Sequence, residues 1–284
     1  MMNSAHSCKT ILADSHNHIH FKAFSRDLDG VMVRAHDQGI RLMLAVGIDK
    51  RDSLEALRVA RTYQGVYASI GIHPQNAGKA SFRDVIGLAD IHEPGRVVAV
   101  GETGFDLYRT PDTRSEQKDL FRSHIELARK LNLPLVIHDR NAHEETVAVL
   151  DETDGWSLGG VFHCFSGDTA LAQYVVSKGF LVSVPGVVTF KNSLVLRQVV
   201  SQTPETCLLV ETDAPYLSPE PFRGKRNEPA YIRHTVEEVA RIKERTFDEI
   251  VEITSENFRR LFLHREKSDI FQDQNREENI CSND

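Results

Sequence analysis

No stretch of this chain is apolar for long enough to cross a bilayer, so a helical membrane span is not expected. Residues 1–10 hold no apolar run, so no secretory signal is expected either. Cysteine is scarce. The four are Cys8, Cys164, Cys207 and Cys281, and their spacing fits neither a zinc ribbon nor a CxxC pair. Three or more are expected as free thiols, which suits a reducing compartment and leads to the expectation of a cytoplasmic protein. An excess of positive charge is missing too. The formal net charge is −7, whereas a protein whose whole surface served nucleic acid would be basic. Any contact with phosphates must then rest on a local patch or on metal ions. Internal repeats and low-complexity linkers are also absent.

What is present is a chain of 284 residues, 40% hydrophobic and 26% charged, long enough for one large barrel or two modest domains. Short apolar runs lie near 11–14, 42–47, 66–72, 97–102, 135–138, 160–163, 181–184 and 208–211. Val, Ile and Leu dominate them without polar alternation, the mark of strands buried on both faces in a parallel sheet. Amphipathic segments lie between them. Residues 115–131 show helical spacing at Leu120, Ile125, Leu127, Ala128 and Leu131, and Asn132-Leu133-Pro134 stops that helix. Residues 231–244 and 247–262 form a helical end. Eight strands with helical crossovers predict an α/β fold, a (β/α)8 TIM-like barrel with an added C-terminal helix. An open doubly wound sheet is the alternative, and the even spacing of the strands favours closure. One barrel domain is expected over 1–264. The polar segment 265–284 is expected to be disordered.

The chemistry sits at the strand ends. His16 and His18 follow the first run in Asp14-Ser15-His16-Asn17-His18. Side chains two apart on a strand share a side, so these imidazoles can hold one divalent metal, although a polar turn gives the same pattern. Glu102 ends the fourth run, His138 the fifth, His163 the sixth, and Asp213 follows the eighth. One such residue is compatible with a structural role. Five strand ends carrying His, Glu or Asp are not, because a closed parallel barrel gathers those ends at one mouth. Four histidines and two carboxylates exceed the needs of one catalytic ion, so two metals bridged by a carboxylate are expected.

Other residues border the same mouth. His73 follows the third strand and suits a phosphate or a supporting role. Arg140 lies just past His138, and Arg223, Lys225 and Arg226 form the densest basic cluster of the barrel region. Backbone phosphates are natural partners for such residues. Phe190 and Lys191 follow the seventh strand and offer a surface for a base. Asp106 reads as a loop-fixing carboxylate. Asp14 reads as a partner for a histidine or a turn former, and Glu211 is open between an arginine pair and substrate. Strand alternation points Cys164 away from the metals.

Seven motifs then stand in a recognisable order. They are Asp14 to His18, Gly71-Ile72-His73-Pro74, Gly101-Glu102-Thr103-Gly104-Phe105-Asp106-Leu107-Tyr108, Ile137-His138-Asp139-Arg140, Phe162-His163-Cys164-Phe165-Ser166-Gly167, Glu211-Thr212-Asp213-Ala214-Pro215-Tyr216-Leu217 and Arg223-Gly224-Lys225-Arg226-Asn227-Glu228-Pro229. Over about residues 11–262 the chain resembles the TatD family of metal-dependent DNases and related hydrolases, within the amidohydrolase-like barrels. Thr103 and Phe105 depart from commoner aliphatic residues without touching the ligands. The resemblance implies that His16, His18 and Asp213 bind one metal, that His138 and His163 bind the other, and that Glu102 bridges them. It implies Mg²⁺, Mn²⁺ or Zn²⁺ and hydrolysis of DNA phosphodiesters. Asp213 would accept a proton from the attacking water, with Glu102 also at the reacting centre. His73, Arg140, Lys225 and Arg226 would bind substrate. DNA with single-stranded ends, entered from the 3′ side, is the expected partner; no membrane and no obligate protein partner are expected. The rival activity is metal-dependent hydrolysis of an amide, ester or lactone, which the basic loop after the eighth strand disfavours.

Overall fold

The computed structural model describes residues 11–263. Cys8, Cys281 and the expectation of disorder over 265–284 lie outside them. Eight strands form one parallel sheet in chain order. They are β1 (Leu12–Asn17), β2 (Ile40–Val46), β3 (Val66–Ile70), β4 (Val97–Asp106), β5 (Leu135–Arg140), β6 (Gly160–Phe162), β7 (Leu181–Val184) and β8 (Leu208–Val210). The main crossover and terminal helices are α1 (Leu28–Asp37), α2 (Lys50–Thr62), α3 (Phe82–Ile86), α4 (Arg114–Leu131), α5 (His143–Glu152), α6 (Thr169–Ser177), α7 (Leu194–Gln202), α8 (Ile232–Lys243) and α9 (Phe247–Phe262). No described helix is long and apolar enough to cross a membrane.

The ring closes between β8 and β1, which rules out the open sheet. Closure is made by backbone and side chain together at the carboxyl ends. Asp213 N–H donates to His16 O at 2.9 Å, and His18 N–H donates to Ala214 O at 2.8 Å. Deeper in, Ser15 Oγ donates to Val210 O at 2.9 Å. Asp14 is the clasp. Its carboxylate accepts Thr212 N–H at 2.9 Å and Thr212 Oγ1–H at 2.7 Å. Burial is the larger influence on this carboxyl and, against those hydrogen bonds, pushes it up to about 7.

The other end of the barrel is shut. On α9, Phe258, Leu261 and Phe262 are almost fully buried and pack with Ala13, Leu42, Leu44 and Leu209 of the strands. Burying each of these large side chains stabilises the fold by roughly 1.5–3 kcal/mol. Asn257 Nδ2 on the same helix donates to Leu208 O at 2.8 Å. The helix is started by a reciprocal cap, with Thr246 N–H donating to Glu249 Oε2 at 2.8 Å. Solvent therefore reaches the barrel axis from the carboxyl mouth.

The helix expected over 115–131 is α4, stopped by Asn132 in the left-handed region at φ 54°. The fourth strand differs from expectation. Instead of ending at Glu102 it runs to Asp106, which is therefore the last strand residue; its carboxylate still fixes the loop that follows, accepting Arg109 N–H at 2.8 Å. The apolar run breaks at Gly101, where the pairing of β4 with β5 slips between Val100 and Thr103. Gly101 has φ 144°, and a Cβ there would sit 2.4 Å from Val136 O. Only glycine fits, and the irregularity re-aims the side chain that follows it.

Candidate metal centre

That side chain is Glu102, 3% exposed at the floor of the mouth. Its two carboxylate oxygens face different partners. Oε1 lies 2.6 Å from His138 Nδ1, 2.7 Å from His163 Nε2 and 3.4 Å from His73 Nε2. Oε2 lies 3.6 Å from His16 Nε2 and 3.9 Å from His18 Nε2. Asp213 completes the second side, with Oδ1 3.8 Å from His16 Nε2 and 3.5 Å from His18 Nε2. One carboxylate thus stands between two groups of imidazoles carried by different strands.

Some of the ligand-type side chains are backed by other groups. His18 Nδ1 donates to Val46 O at 2.8 Å, which turns Nε2 to the centre. His163 Nδ1 lies 3.5 Å from Glu211, a carboxylate with no exposure at all. Asp213 takes φ 53° and Cys164 φ 44°, two left-handed residues at the mouth, where such conformations concentrate. Cys164 lies beyond the end of β6, so strand alternation does not govern it. Burial pushes its thiol well up, and Glu211, Asp213 and Glu102 add to this, so it stays a thiol facing carboxylates.

The electrostatics are those of a compact charge cluster. Burial raises the Glu102 carboxyl, but His163, His73, His138 and His16 outweigh it and hold it well below the usual range. Burial likewise works against ionised Asp213, and His18, His16 and His163 hold it low. Against their burial, His18 is raised by Asp213 and Glu102, His138 by Asp106 and Glu102, and His163 by Glu102 and Glu211. His16, with no exposure, is lowered by burial and by neighbouring His163.

The donor set fits a divalent cation. His16 Nε2 and His18 Nε2 face each other at 3.3 Å, and so do His138 Nδ1 and His163 Nε2 at 3.2 Å. A pair of ring nitrogens shares at most one proton, and a cation satisfies both lone pairs. Buried Nδ1 of His16 and Nε2 of His138 have no hydrogen-bond partner among the described residues. Three sets of donor atoms lie within 4.8 Å of one another: His16, His18 and Asp213; His16, Glu102 and His163; His73, Glu102 and His138. Imidazole with carboxylate is a donor set for first-row metals.

A family model for TatD-related DNases matches residues 13–263. The chain belongs to that family. It is accordingly a metal-dependent hydrolase, and its relatives span nearly their whole length in the match. The metal-dependent hydrolase YabD of Bacillus subtilis is 39% identical over 252 residues, covering 89% of this chain and 99% of that protein. The 3′-5′ ssDNA/RNA exonuclease TatD of Salmonella typhimurium is 35% identical over 84% of this chain and 94% of its own. The crystal structure of YjjV, a TatD homologue from Escherichia coli K12, superposes with a TM-score of 0.83 at 30% identity, covering 91% and 99% of the two chains.

Around this TatD-type centre the outer residues divide. His73 is drawn in beside Glu102, and its Nδ1 accepts Gln75 N–H at 3.1 Å. The neutral ring therefore carries its proton on Nε2, facing the centre. Arg140 reaches the rim, where its guanidinium lies 4.4 Å from the Tyr108 ring centroid. Lys225 is exposed on its loop, 5.5 Å from the Phe222 ring. Arg226 is drawn elsewhere. It makes two hydrogen bonds to Asp27, at 2.9 and 2.7 Å, and a third to Ala23 O at 2.7 Å. Arg223 stacks over Phe190 at 4.3 Å. Three supports take roles that the sequence pattern left open or did not suggest. Asp106 Oδ2 lies 3.4 Å from His138 Nε2 and accepts Gln75 Nε2–H at 2.7 Å. Glu211 accepts Cys164 N–H at 2.7 Å. His124 is tied to the segment that bears His73.

Proposed function

We propose that the chain hydrolyses phosphodiester bonds of DNA, acting on single-stranded ends as a 3′-5′ exodeoxyribonuclease with two divalent metals. The observation that carries this reading is the Glu102 carboxylate, whose two oxygens are each met by their own group of imidazoles. That arrangement suits two divalent ions. His16, His18 and Asp213 would hold one, His138 and His163 the other, and Glu102 would serve both. When bound, Mg²⁺, Mn²⁺ or Zn²⁺ there supplies Lewis acidity toward phosphate and a more acidic water.

The residues of the chain do the remaining work. Asp213, kept ionised by its histidines, accepts the proton of the attacking water. His73 Nε2–H donates to a phosphate oxygen at the same place. Arg140 and Lys225 hold neighbouring phosphates at the rim. A shut barrel bottom and a recessed centre favour a frayed strand end over the body of a stiff duplex. The exonuclease activity of the Salmonella relative supports the direction and the single-stranded preference.

The test uses end-labelled oligonucleotides, single-stranded, duplex and circular, with either end blocked, in chelated protein given back Mn²⁺ or Mg²⁺. Single strands with an open 3′ end are cut fastest, and a 3′ block stops cutting. Rapid cutting of closed circles, or indifference to the 3′ block, rejects the exonuclease reading.

A further inference from the structure

An acidic chain that binds a polyanion needs affinity from something other than charge. The net charge is −7, and Arg226, half of the Lys225–Arg226 pair, already serves Asp27 with Glu228 3.8 Å away. With the chain acidic overall and Arg226 already paired, local cations such as Arg140 and Lys225 supply only part of the affinity. Bases offer the other source, because every base has a face that an aromatic ring can cover.

The described residues include nine large hydrophobic side chains that are exposed. Six of them, Val33, Leu54, Phe82, Tyr174, Leu194 and Val195, lie on helices, and Ile11 lies just before β1. The two that remain are tyrosines on loops leaving the carboxyl ends of strands. Tyr108, 57% exposed, stands two residues past β4, and Tyr216, 55% exposed, stands three past Asp213 in the loop after β8. In a ring ordered β1 to β8, strands β4 and β8 are opposite one another. The rings thus stand on opposite sides of the mouth with Glu102 at its floor. Both are braced. Tyr108 has the Arg140 guanidinium 4.4 Å from its centroid and that of Arg109 5.8 Å away, and the residue still stays exposed at the rim. Tyr216 is fixed by its backbone N–H to Asp213 O at 2.8 Å, and its ring meets the edges of His18 and Phe21 at 6.4 and 6.5 Å.

We propose that Tyr108 and Tyr216 are stacking platforms for the two nucleobases that flank the cleaved phosphate, splayed to opposite sides of the mouth. The inference rests on the nuclease reading above and deepens it. The bases, and not only the phosphates, decide which strands are bound. A base inside a duplex is already stacked and paired, so the two platforms select unpaired strand ends without reading sequence.

The experiment compares two end-labelled strands of equal length under the same metal. One carries bases throughout, and the other has tetrahydrofuran abasic residues over its last four positions. Wild type, Tyr108→Ala, Tyr216→Ala, Tyr108→Phe and Tyr216→Phe are measured, with metal content checked in each. Wild type prefers the base-bearing strand by about 100-fold in kcat/KM, and each Ala variant cuts that preference about tenfold through KM, in the range that one base–aromatic stack supplies. The Phe variants retain it, because the ring and not the hydroxyl does the stacking. Equal cutting of both strands by wild type overturns the proposal and leaves the nuclease reading standing. Ala variants that lose activity equally on both strands overturn it in the same way. A wild type that cuts neither strand overturns the nuclease reading and the platforms with it.

Discussion

His124 Nε2, without exposure on the inner face of α4, accepts the backbone N–H of Ile72 at 2.9 Å. Its Nδ1 donates to Leu120 O at 2.8 Å. Both ring nitrogens are thus engaged, and the ring must be neutral, since a second ring proton would face the Ile72 N–H. Ile72 precedes His73, so a histidine on a helix sets the height of the histidine at the mouth.

Burial pushes His124 down to about 4 from 6.5, which makes its contribution to stability depend on pH with a definite sign. Between about pH 6.5 and pH 4 the unfolded chain binds this proton and the folded chain does not. Stability is lost as pH falls through that window, by on the order of 3 kcal/mol in all, and not above it. In His124→Gln, where the amide oxygen still accepts Ile72 N–H, the loss over the same window is smaller by that amount. Urea unfolding of chelated protein at pH 4.5, 5.5, 6.5 and 7.5 checks it. Parallel profiles for the two proteins would discard the role given to His124.

The strands were legible because parallel strands buried on both faces must be apolar, and a charge at the end of such a run is conspicuous. His16, Glu102, His138, His163 and Asp213 stood out for that reason, and the structure brings them together. Contacts made across the fold left no local trace. Lys225 and Arg226 look alike in sequence, yet Asp27, 199 positions away, takes only the arginine. His124 reads as one more polar residue in an amphipathic helix until Ile72, 52 positions away, meets it. The length of β4 was hidden by Gly101, which interrupts the apolar run while the strand pairing resumes beyond it.

Glu211 tests the support behind His163, a proposed metal ligand. Its Oε1 accepts Cys164 N–H and lies 3.5 Å from His163 Nδ1, close enough to set its charge against that ring without a hydrogen bond. Carboxylates behind ligating histidines are commonly worth 10–100-fold in metal affinity. Glu211→Gln, which keeps the Cys164 hydrogen bond, is expected to weaken binding of the metal on the His138–His163 side within about that range. Competition against a fluorescent chelator reads it. An unchanged affinity would assign Glu211 to the backbone turn alone.

Asp213 carries a sharper expectation. Asp213→Asn keeps an oxygen near His16 and His18 but removes the proposed proton acceptor, so kcat is expected to fall by at least ~10²-fold while binding of the proposed strand substrate persists. Chelation of the wild type abolishes turnover, and added Mn²⁺ or Mg²⁺ restores it. Near-native kcat in the variant would move the base elsewhere, and full activity in verified metal-free protein would remove the metals from the reaction.

Lys225 and Arg226 separate charge that reaches the substrate from charge already used. Each phosphate contact adds close to one to the slope of log K against log salt. On the proposed nuclease reading Lys225, exposed on its loop, makes such a contact, so Lys225→Ala is expected to lower that slope by about one and weaken strand binding mostly at low salt. Arg226 is held by Asp27 at 2.7 Å and by Ala23 O, with Glu228 close behind. Its charge is compensated within the protein, and its guanidinium cannot turn to a phosphate without giving up both hydrogen bonds to Asp27, which would keep only Arg34 at 3.5 Å. Arg226→Ala therefore leaves the slope unchanged. Its effect on folding is also small, because both partners of the Asp27 pair are partly exposed and solvent screens them. Filter binding of a labelled single strand across a range of salt concentrations distinguishes the two variants. A drop in slope for Arg226→Ala equal to that of Lys225→Ala would mean that DNA displaces Asp27, and that the loop opens when substrate arrives.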